Sequence, residues 1–442
     1  MRALFVIVLV LVVAAVLDLG LLVGGMLALL GLMGISRFLA RTWIGNLDAT
    51  RECNRTEVEI GETIAFVLTL RNRGALPIAW VLVEEMLPRA AITARPPRLE
   101  VKGRRLAIAM LGGGATRTIT YQLRCAMRGY YQVGPLILET GDLFGLHRRY
   151  RVATEPLYIT VYPRVVPLPG YDLASRRPIG EIKLTHRLFE DPTRIAGVRA
   201  YQPGDPFNRI HWAATARTGT LQSKIYDAST VAGATILLDF HRDSYPARNE
   251  PGRSELAVTA AVALANAVCL MGQPVGLITS GRDAAERARH RDEIARRTAR
   301  PGANREAIHR EAAMRDEDHR LRPQVVPHAR GPEAFARIRE AMARVELSDG
   351  LTFDRLVIEA EHRMPRDATV VAILALVTPE SALTLGRLRR QGYAVTVVLL
   401  AFDEVERIDS ASYLIAQNIP VRAISDENEL HGFCELQFVA PL

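Results

Sequence analysis

"ATILLDF", Ala234 to Phe240, decides the fold of the C-terminal half of this 442-residue chain. It is apolar almost throughout and shows no polar–apolar alternation. A strand that reads this way is covered on both faces, as in a parallel sheet flanked by helices. "PVGLITSG", "ATVVAILALV" and "AVTVVLLAF" repeat the pattern downstream, and "IPVRAIS" reads as a last edge strand. Helical stretches separate them. "SELAVTAAVALANAVCLMG" runs from Ser254, a candidate cap, to Gly272, a candidate stop. "PEAFARIREAMARVEL", "TFDRLVIEAEHRM" and "ESALTLGRLRRQG" are the others, the last stopped by Gly392. Strands alternating with helices predict an α/β domain with a parallel sheet over residues 231–442.

Inside that domain, residues 282–330 or so are charged with both signs and carry almost no aliphatic stripe. They read as an insertion. Its acidic residues offset its arginines and no aromatics interleave, so a nucleic-acid partner is not expected.

Upstream the period changes. "TIAFVLTLRNRG" alternates and then turns, and "PIAWVLVEEMLP", "RLAIAML", "TRTITYQLRC", "YYQVGPLIL" and "LYITVYPR" follow at roughly even spacing. Residues 50–165 are therefore predicted to form an antiparallel β-sandwich.

Residues 1–45 are predicted to be a membrane anchor. From Ala3 to Ile35 the only charge is Asp18. A single span needs about 20 apolar residues, and this run is longer. Asp18-Leu19-Gly20 breaks it at its middle, which predicts a transmembrane helical hairpin with Asp18 at the turn, away from the bilayer centre. Arg2 precedes it, while Arg37, Arg41, Arg51 and Arg55 follow. Both flanks are positive, so both are expected on the cytoplasmic side of the inner (plasma) membrane, with lipid as the partner of residues 3–35. A secretory signal fits less well, because the apolar run is too long and lacks a clear cleavage site.

Composition adds little against these readings. The net charge is +8, with three lysines and the remaining basic residues all arginine. Cys53, Cys125, Cys269 and Cys434 lie far apart, without metal-site spacing.

Between the two soluble domains, residues 166–230 contain "RAYQPGDPFNRIHWAATARTGTLQSK". Pro203-Gly204 makes a turn. Asp205 is placed to cap a short helix at 206–216 and to pair with Arg209. Ile210 and Trp212 are expected to bury their bulk, and Arg217, Gly219 and Lys224 to shape the entry to the next strand. His211 and Asp205 could instead form an acid–base dyad. Ser223 and Thr215 lack the strand-turn-helix context of a nucleophile, which favours a structural joint or docking surface over catalysis.

This segment resembles the signature of the domain-of-unknown-function 58 family: Tyr201, Pro203, Gly204, Asp205, then Arg209, Ile210 and Trp212, then Arg217, Gly219 and Lys224. "TGDLFGLHRRY" resembles the family's upstream element, with Leu143 where proline is usual. The resemblance implies a von Willebrand A-like (Rossmann-like) domain after the signature. It also implies a membrane-bound partner of a MoxR-type AAA+ ATPase in protein assembly or maturation. The expected whole is an α+β multidomain protein, with hairpin anchor, β-sandwich and α/β domain.

Von Willebrand A domains often hold Mg²⁺ through Asp-x-Ser-x-Ser after the first strand. Here Asp239 matches the first ligand, but His241 and Asp243 stand where serines would be. Thr378 is followed by Pro379 where a later aspartate would fall. Imidazole suits Mg²⁺ poorly, so no metal or other cofactor is expected; Asp239, Asp243, Ser244 and Thr378 are remnants of such a site. A non-enzymatic, membrane-anchored interaction protein is the expected function. Its rivals are a metal-dependent adhesion protein facing outside, and a hydrolase using His211 and Asp205.

Overall fold

A computed structural model describes residues 20–142, 147–168, 195–202, 207–226, 233–286, 288, 321–366 and 368–431. The first arm of the expected hairpin with Asp18, the Leu143 position, Pro203-Gly204-Asp205 and most of the charged insertion lie outside the described residues. The chain divides into two units, one ending at Val161 and the other beginning at Tyr162.

The N-terminal unit opens with helix α1 (Gly20–Asn46). Its window from Val23 to Asn46 is long and apolar enough to cross a membrane or to act as a signal. Eleven strands follow: β1 (Leu47–Cys53), β2 (Glu57–Glu59), β3 (Thr63–Asn72), β4 (Ile78–Glu85), β5 (Leu99–Gly103), β6 (Leu106–Leu111), β7 (Thr116–Cys125), β8 (Gly129–Val133), β9 (Leu136–Gly141), β10 (Arg148–Thr154) and β11 (Leu157–Tyr162). They form antiparallel sheets ordered β1-β3-β7-β5, β10-β9-β4-β6 and β2-β11-β8. Alternation is the cause. On β3, Ile64, Phe66, Leu68 and Leu70 are fully buried while the residues between them are not. They meet Val81, Val83, Leu123 and Leu138 in one core, which Trp43 of α1 joins. The predicted "YYQVGPLIL" strand is two, β8 and β9, broken at Gly134-Pro135 because proline has no N–H for a ladder.

In the C-terminal unit, β12 (Ile195–Ala200) and β13 (Gln222–Tyr226) pair as a ribbon. The main sheet contains β14 (Ala234–Leu238), β15 (Val275–Thr279), β17 (Gln324–Ala329), β19 (Thr369–Leu374), β20 (Val395–Leu400) and β21 (Val421–Ile424). Its order is β17-β15-β14-β19-β20-β21. A short ladder joins β16 (Arg282–Asp283) to β18 (Val345–Glu346). The helices are α2 (Arg89–Thr93) in the first unit and, here, α3 (Trp212–Thr218), α4 (Gly252–Leu270), α5 (Pro332–Arg344), α6 (Phe353–Ala360), α7 (Pro379–Arg390), α8 (Glu404–Ala416) and α9 (Glu427–His431).

β14 explains the unbroken apolar run. Ala234, Ile236 and Leu238 pack with α4 and α5, whereas Leu237 packs with Phe353, Leu356 and Leu385 on the other face. Each buried Ile or Leu side chain contributes about 1.5–3 kcal/mol. α4 is apolar enough to pass for a membrane span, but most of it is buried core.

Three expectations change. The sheet is mixed rather than all parallel, because β17 pairs antiparallel with β15. β16 and β17 lie within the stretch read as an insertion, whose charged composition hid them. Ser254 does not cap α4: the helix begins at Gly252, and the Glu250 carboxylate accepts from the Ser254 N–H at 3.1 Å and from its hydroxyl. β21 is the edge strand expected, and Gly392 takes the left-handed φ of 101° after α7.

Candidate functional site

Two places in the C-terminal unit collect the residues singled out in the sequence. The first is the ribbon of β12 and β13 with the segment between them. The Tyr201 N–H donates to Leu221 O at 2.9 Å, and the His211 N–H to Gln222 O at 2.8 Å. Ile210, buried, bridges Ser223. The segment thus folds back on β13, first as a 3₁₀ turn (Phe207–Arg209) and then as α3. Lys224 pairs across the ribbon with Val198.

His211 caps α3. Its Nδ1 accepts from the Ala214 N–H at 3.0 Å, which places the ring proton of the neutral imidazole on Nε2. The helix begins later than expected because His211 takes the capping position. Gly219 ends it in the left-handed conformation, φ 68°, with its N–H on Thr215 O. The Thr215 hydroxyl accepts from the Gln222 N–H at 3.0 Å. Ser223 is buried and its hydroxyl has no hydrogen-bond partner among the described residues. Thr215 and Ser223 are both tied to the ribbon's architecture.

Trp212 corrects the sequence reading. It is 67% exposed, and Phe207, overlooked in the sequence, is 78% exposed. The cause is local: α3 is two turns long and buries none of its residues. A two-turn helix lacks the periodicity that would have signalled its outward face. Arg209 lies near Arg389 of α7. Burial first, and then the like charge of Arg209, lower the Arg389 pKa. Arg217 is exposed on the last turn of α3.

His211→Ala is expected to cost about 1 kcal/mol of stability, the value of a helix cap, with Asn recovering most of it. Thermal melting of both variants checks this. An activity abolished by both, with melting unchanged, would instead restore the dyad.

The second place is the carboxyl end of β14, where α/β sheets tend to bind ligands. Asp239 is buried there. Its Oδ1 accepts from the His241 N–H at 3.1 Å and from the Ser280 hydroxyl at 3.4 Å, while Oδ2 has no hydrogen-bond partner among the described residues. Tyr245 OH donates to Asp239 O at 2.6 Å. Burial raises the Asp239 pKa, and the nearby Ser244 hydroxyl opposes this most. The other candidates turn elsewhere. Asp243 is exposed, and its N–H donates to His241 Nδ1 at 3.3 Å. Thr378 caps α7 by accepting from the Ser381 N–H at 3.2 Å. One carboxylate and nearby hydroxyls do not make the octahedral oxygen set that Mg²⁺ takes. No group of three or more His, Cys, Asp or Glu suited to a metal occurs among the described residues. Burial pushes the Cys125 thiol up to about 12, which disfavours the thiolate.

The fold is an N-terminal unit of antiparallel β-sheets with α1 and α2, followed by a mixed, mostly parallel α/β unit. Residues 197–317 match the family described as "Protein of unknown function DUF58", and the sequence resemblance stands on that segment. The chain is a distant homologue of "Uncharacterized protein YeaD" of Bacillus subtilis (strain 168), 23% identical over 240 residues; the match covers 54% of this chain and 57% of that protein. Among solved structures, the CARDB domain of the PF1109 protein from Pyrococcus furiosus aligns at 11% identity and TM-score 0.18, over 26% of this chain and 91% of that one. The PapD-like domain 7 of human CEP192 aligns at 15% identity and TM-score 0.17, over 25% and 82%.

Proposed function

We propose that the chain is a membrane-anchored interaction protein. α1 anchors it, the N-terminal unit is a β-sandwich spacer, and the von Willebrand A-like unit presents the DUF58 segment to a cytoplasmic protein. A MoxR-type AAA+ ATPase is the partner class that the family resemblance suggests. One observation supports the docking role above the rest: Phe207 and Trp212 stand exposed on the signature segment, beside the half-buried Arg209 and the exposed Arg217. Aromatic and arginine side chains are the commonest energetic anchors of protein interfaces, and each can supply 2 kcal/mol or more, on the order of a 30-fold effect.

The test is co-purification from the native membrane with the detergent-solubilised full chain. An ATPase is expected to accompany the wild type, and Phe207→Ala/Trp212→Ala to weaken its capture on the order of 100-fold or more. Melting should be unchanged, because neither side chain is core. Wild-type chain free of any ATPase argues against the partner, and equal capture by the double variant argues against the surface.

A further inference from the structure

The last turns of α1 are fastened to one end of the N-terminal unit. Ala40 and Trp43 are buried in it. Ser36 Oγ lies 3.0 Å from His147 Nδ1, and the Arg73 N–H donates to Asn46 O at 2.8 Å. The turns after β3 and β6 meet at this same end. The Gly114 N–H donates to Gly74 O at 3.0 Å, and Asn72 Nδ2 to Gly112 O at 2.9 Å. Around the place where the helix leaves, arginines collect. Arg37 and Arg41 share an exposed face of α1 at i,i+4, while Arg71 and Arg117 are exposed beside the two turns. None of these four makes an ion pair among the described residues. Arg73 pairs with Asp48, and the largely exposed Arg148 lies 3.4 Å from Glu139.

The opposite end of the unit carries charge of both signs. There Arg55 pairs with Glu62 at 3.0 Å and Arg124 with Glu100 at 3.3 Å. Exposed basic residues occur away from α1 as well, Arg98 beside β5 and Lys102 and Arg104 at the 103–105 turn; what sets the first end apart is that its arginines surround α1 where the helix leaves. From Gly20 to Ser36 the helix carries no charge, and Leu21, Leu27 and Ile35 are exposed on it.

We propose that this arginine collar rests on anionic phospholipid headgroups. The inference depends on reading α1 as a membrane span. Given that, the apolar helix enters hydrocarbon where the collar surrounds it, and the collar meets the headgroup layer. Positive side chains at an anionic surface attract it within about 10 Å. The collar also accounts for sidedness, since arginine beside a span stays cytoplasmic. A soluble polyanion would match the charge but leave the apolar helix in water.

The experiment is backbone hydrogen exchange on the full chain in nanodiscs of phosphatidylcholine, with and without phosphatidylglycerol. Phosphatidylglycerol is expected to slow exchange in the turns at 72–77 and 112–115 by ~10-fold or more, given the attraction of each arginine to such a surface. Exchange at the far turn, 103–105, should not change. The variant Arg37→Gln/Arg41→Gln/Arg71→Gln/Arg117→Gln should lose the slowing and keep the far-turn rate, which reports that it is folded. Equal exchange in the two lipids, or slowing that survives in the variant, overturns the collar while leaving the anchor intact. Failure of the chain to enter nanodiscs overturns the anchor on which the collar rests. Slowing by polyuridylate without lipid, equal to that by phosphatidylglycerol, overturns lipid as the occupant.

Discussion

Arg51→Met is expected to destabilise the N-terminal unit by about 3–5 kcal/mol at neutral pH, the usual result of stranding one partner of a buried ion pair. Arg51 lies on β1 and Glu85 at the end of β4, 2.7 Å apart, with side chains 7% and 0% exposed. The guanidinium also donates to Val133 O at 3.1 Å and to Glu155 O, so it ties β1 and β4 to two further segments. Without it the Glu85 carboxylate has no counter-charge. Replacing both residues, as Arg51→Met/Glu85→Leu, removes the stranded charge and should recover most of the loss. Denaturant unfolding of the three proteins checks the cycle. A single variant within ~1 kcal/mol of wild type would show that water reaches Glu85 after all.

The same pair fixes a pH dependence. Burial raises the Glu85 pKa above its ordinary 4.5, and Arg51 only partly opposes it. A carboxyl with a raised native pKa holds its proton in the folded chain where the unfolded chain has lost it. Its contribution is therefore most favourable below the unfolded value, and stability falls as pH rises through the native value. In Arg51→Met the opposing charge is gone and the native value moves higher. The deficit of the variant relative to wild type should shrink as pH falls toward 4.5. A deficit that grows on acidification would mean Glu85 is not its source.

How much of this was legible in the sequence depends on what each element buries. β3 and β14 were readable because their patterns follow directly from one covered face or two. β1, "LDATREC", was not: it is an edge strand with few apolar positions, held by its ladder with β3. α8 was invisible for a related reason, since it buries only Ser410 and Leu414 and shows no apolar stripe. At the signature, the residue types were right and their roles less so. His211 carries the chemistry of a base, yet its Nδ1 serves the helix backbone. Trp212 was assigned to a core because tryptophan usually finds one, but α3 has too little surface to cover it. Asp239 was placed correctly at the strand end. Its neighbours could not be, because Ser280 and Tyr245 reach it from a different strand end and a later turn.

Glu406 is the second residue whose loss should be felt strongly, and its partner explains why. Arg253, in the first turn of α4, is 1% exposed yet charged. Its Nη2 donates to Glu406 on α8 at 2.6 Å, and its guanidinium sits 5.1 Å from the centre of the Phe402 ring. Glu406 also pairs with Arg248, which is far more exposed. The Arg253 hydrogen bond is the main reason that the Glu406 pKa is lowered. Glu406→Gln should therefore cost about 2–4 kcal/mol, because a buried guanidinium loses its counter-ion. Arg248→Ala should cost less than ~1 kcal/mol, as exposed pairs do. Glu406→Leu/Arg253→Met should recover much of the first loss. The pH dependence runs opposite to that of Glu85. A lowered native pKa gives stability that is complete above the unfolded value of 4.5 and lost as pH falls through the native value. Acidification should thus narrow the gap between wild type and Glu406→Gln by weakening the wild type. A gap that stays constant down to the acid transition would remove the ion pair as the fastening between α4 and α8, leaving Leu414 and Ser410 as the contacts that hold α8 in place.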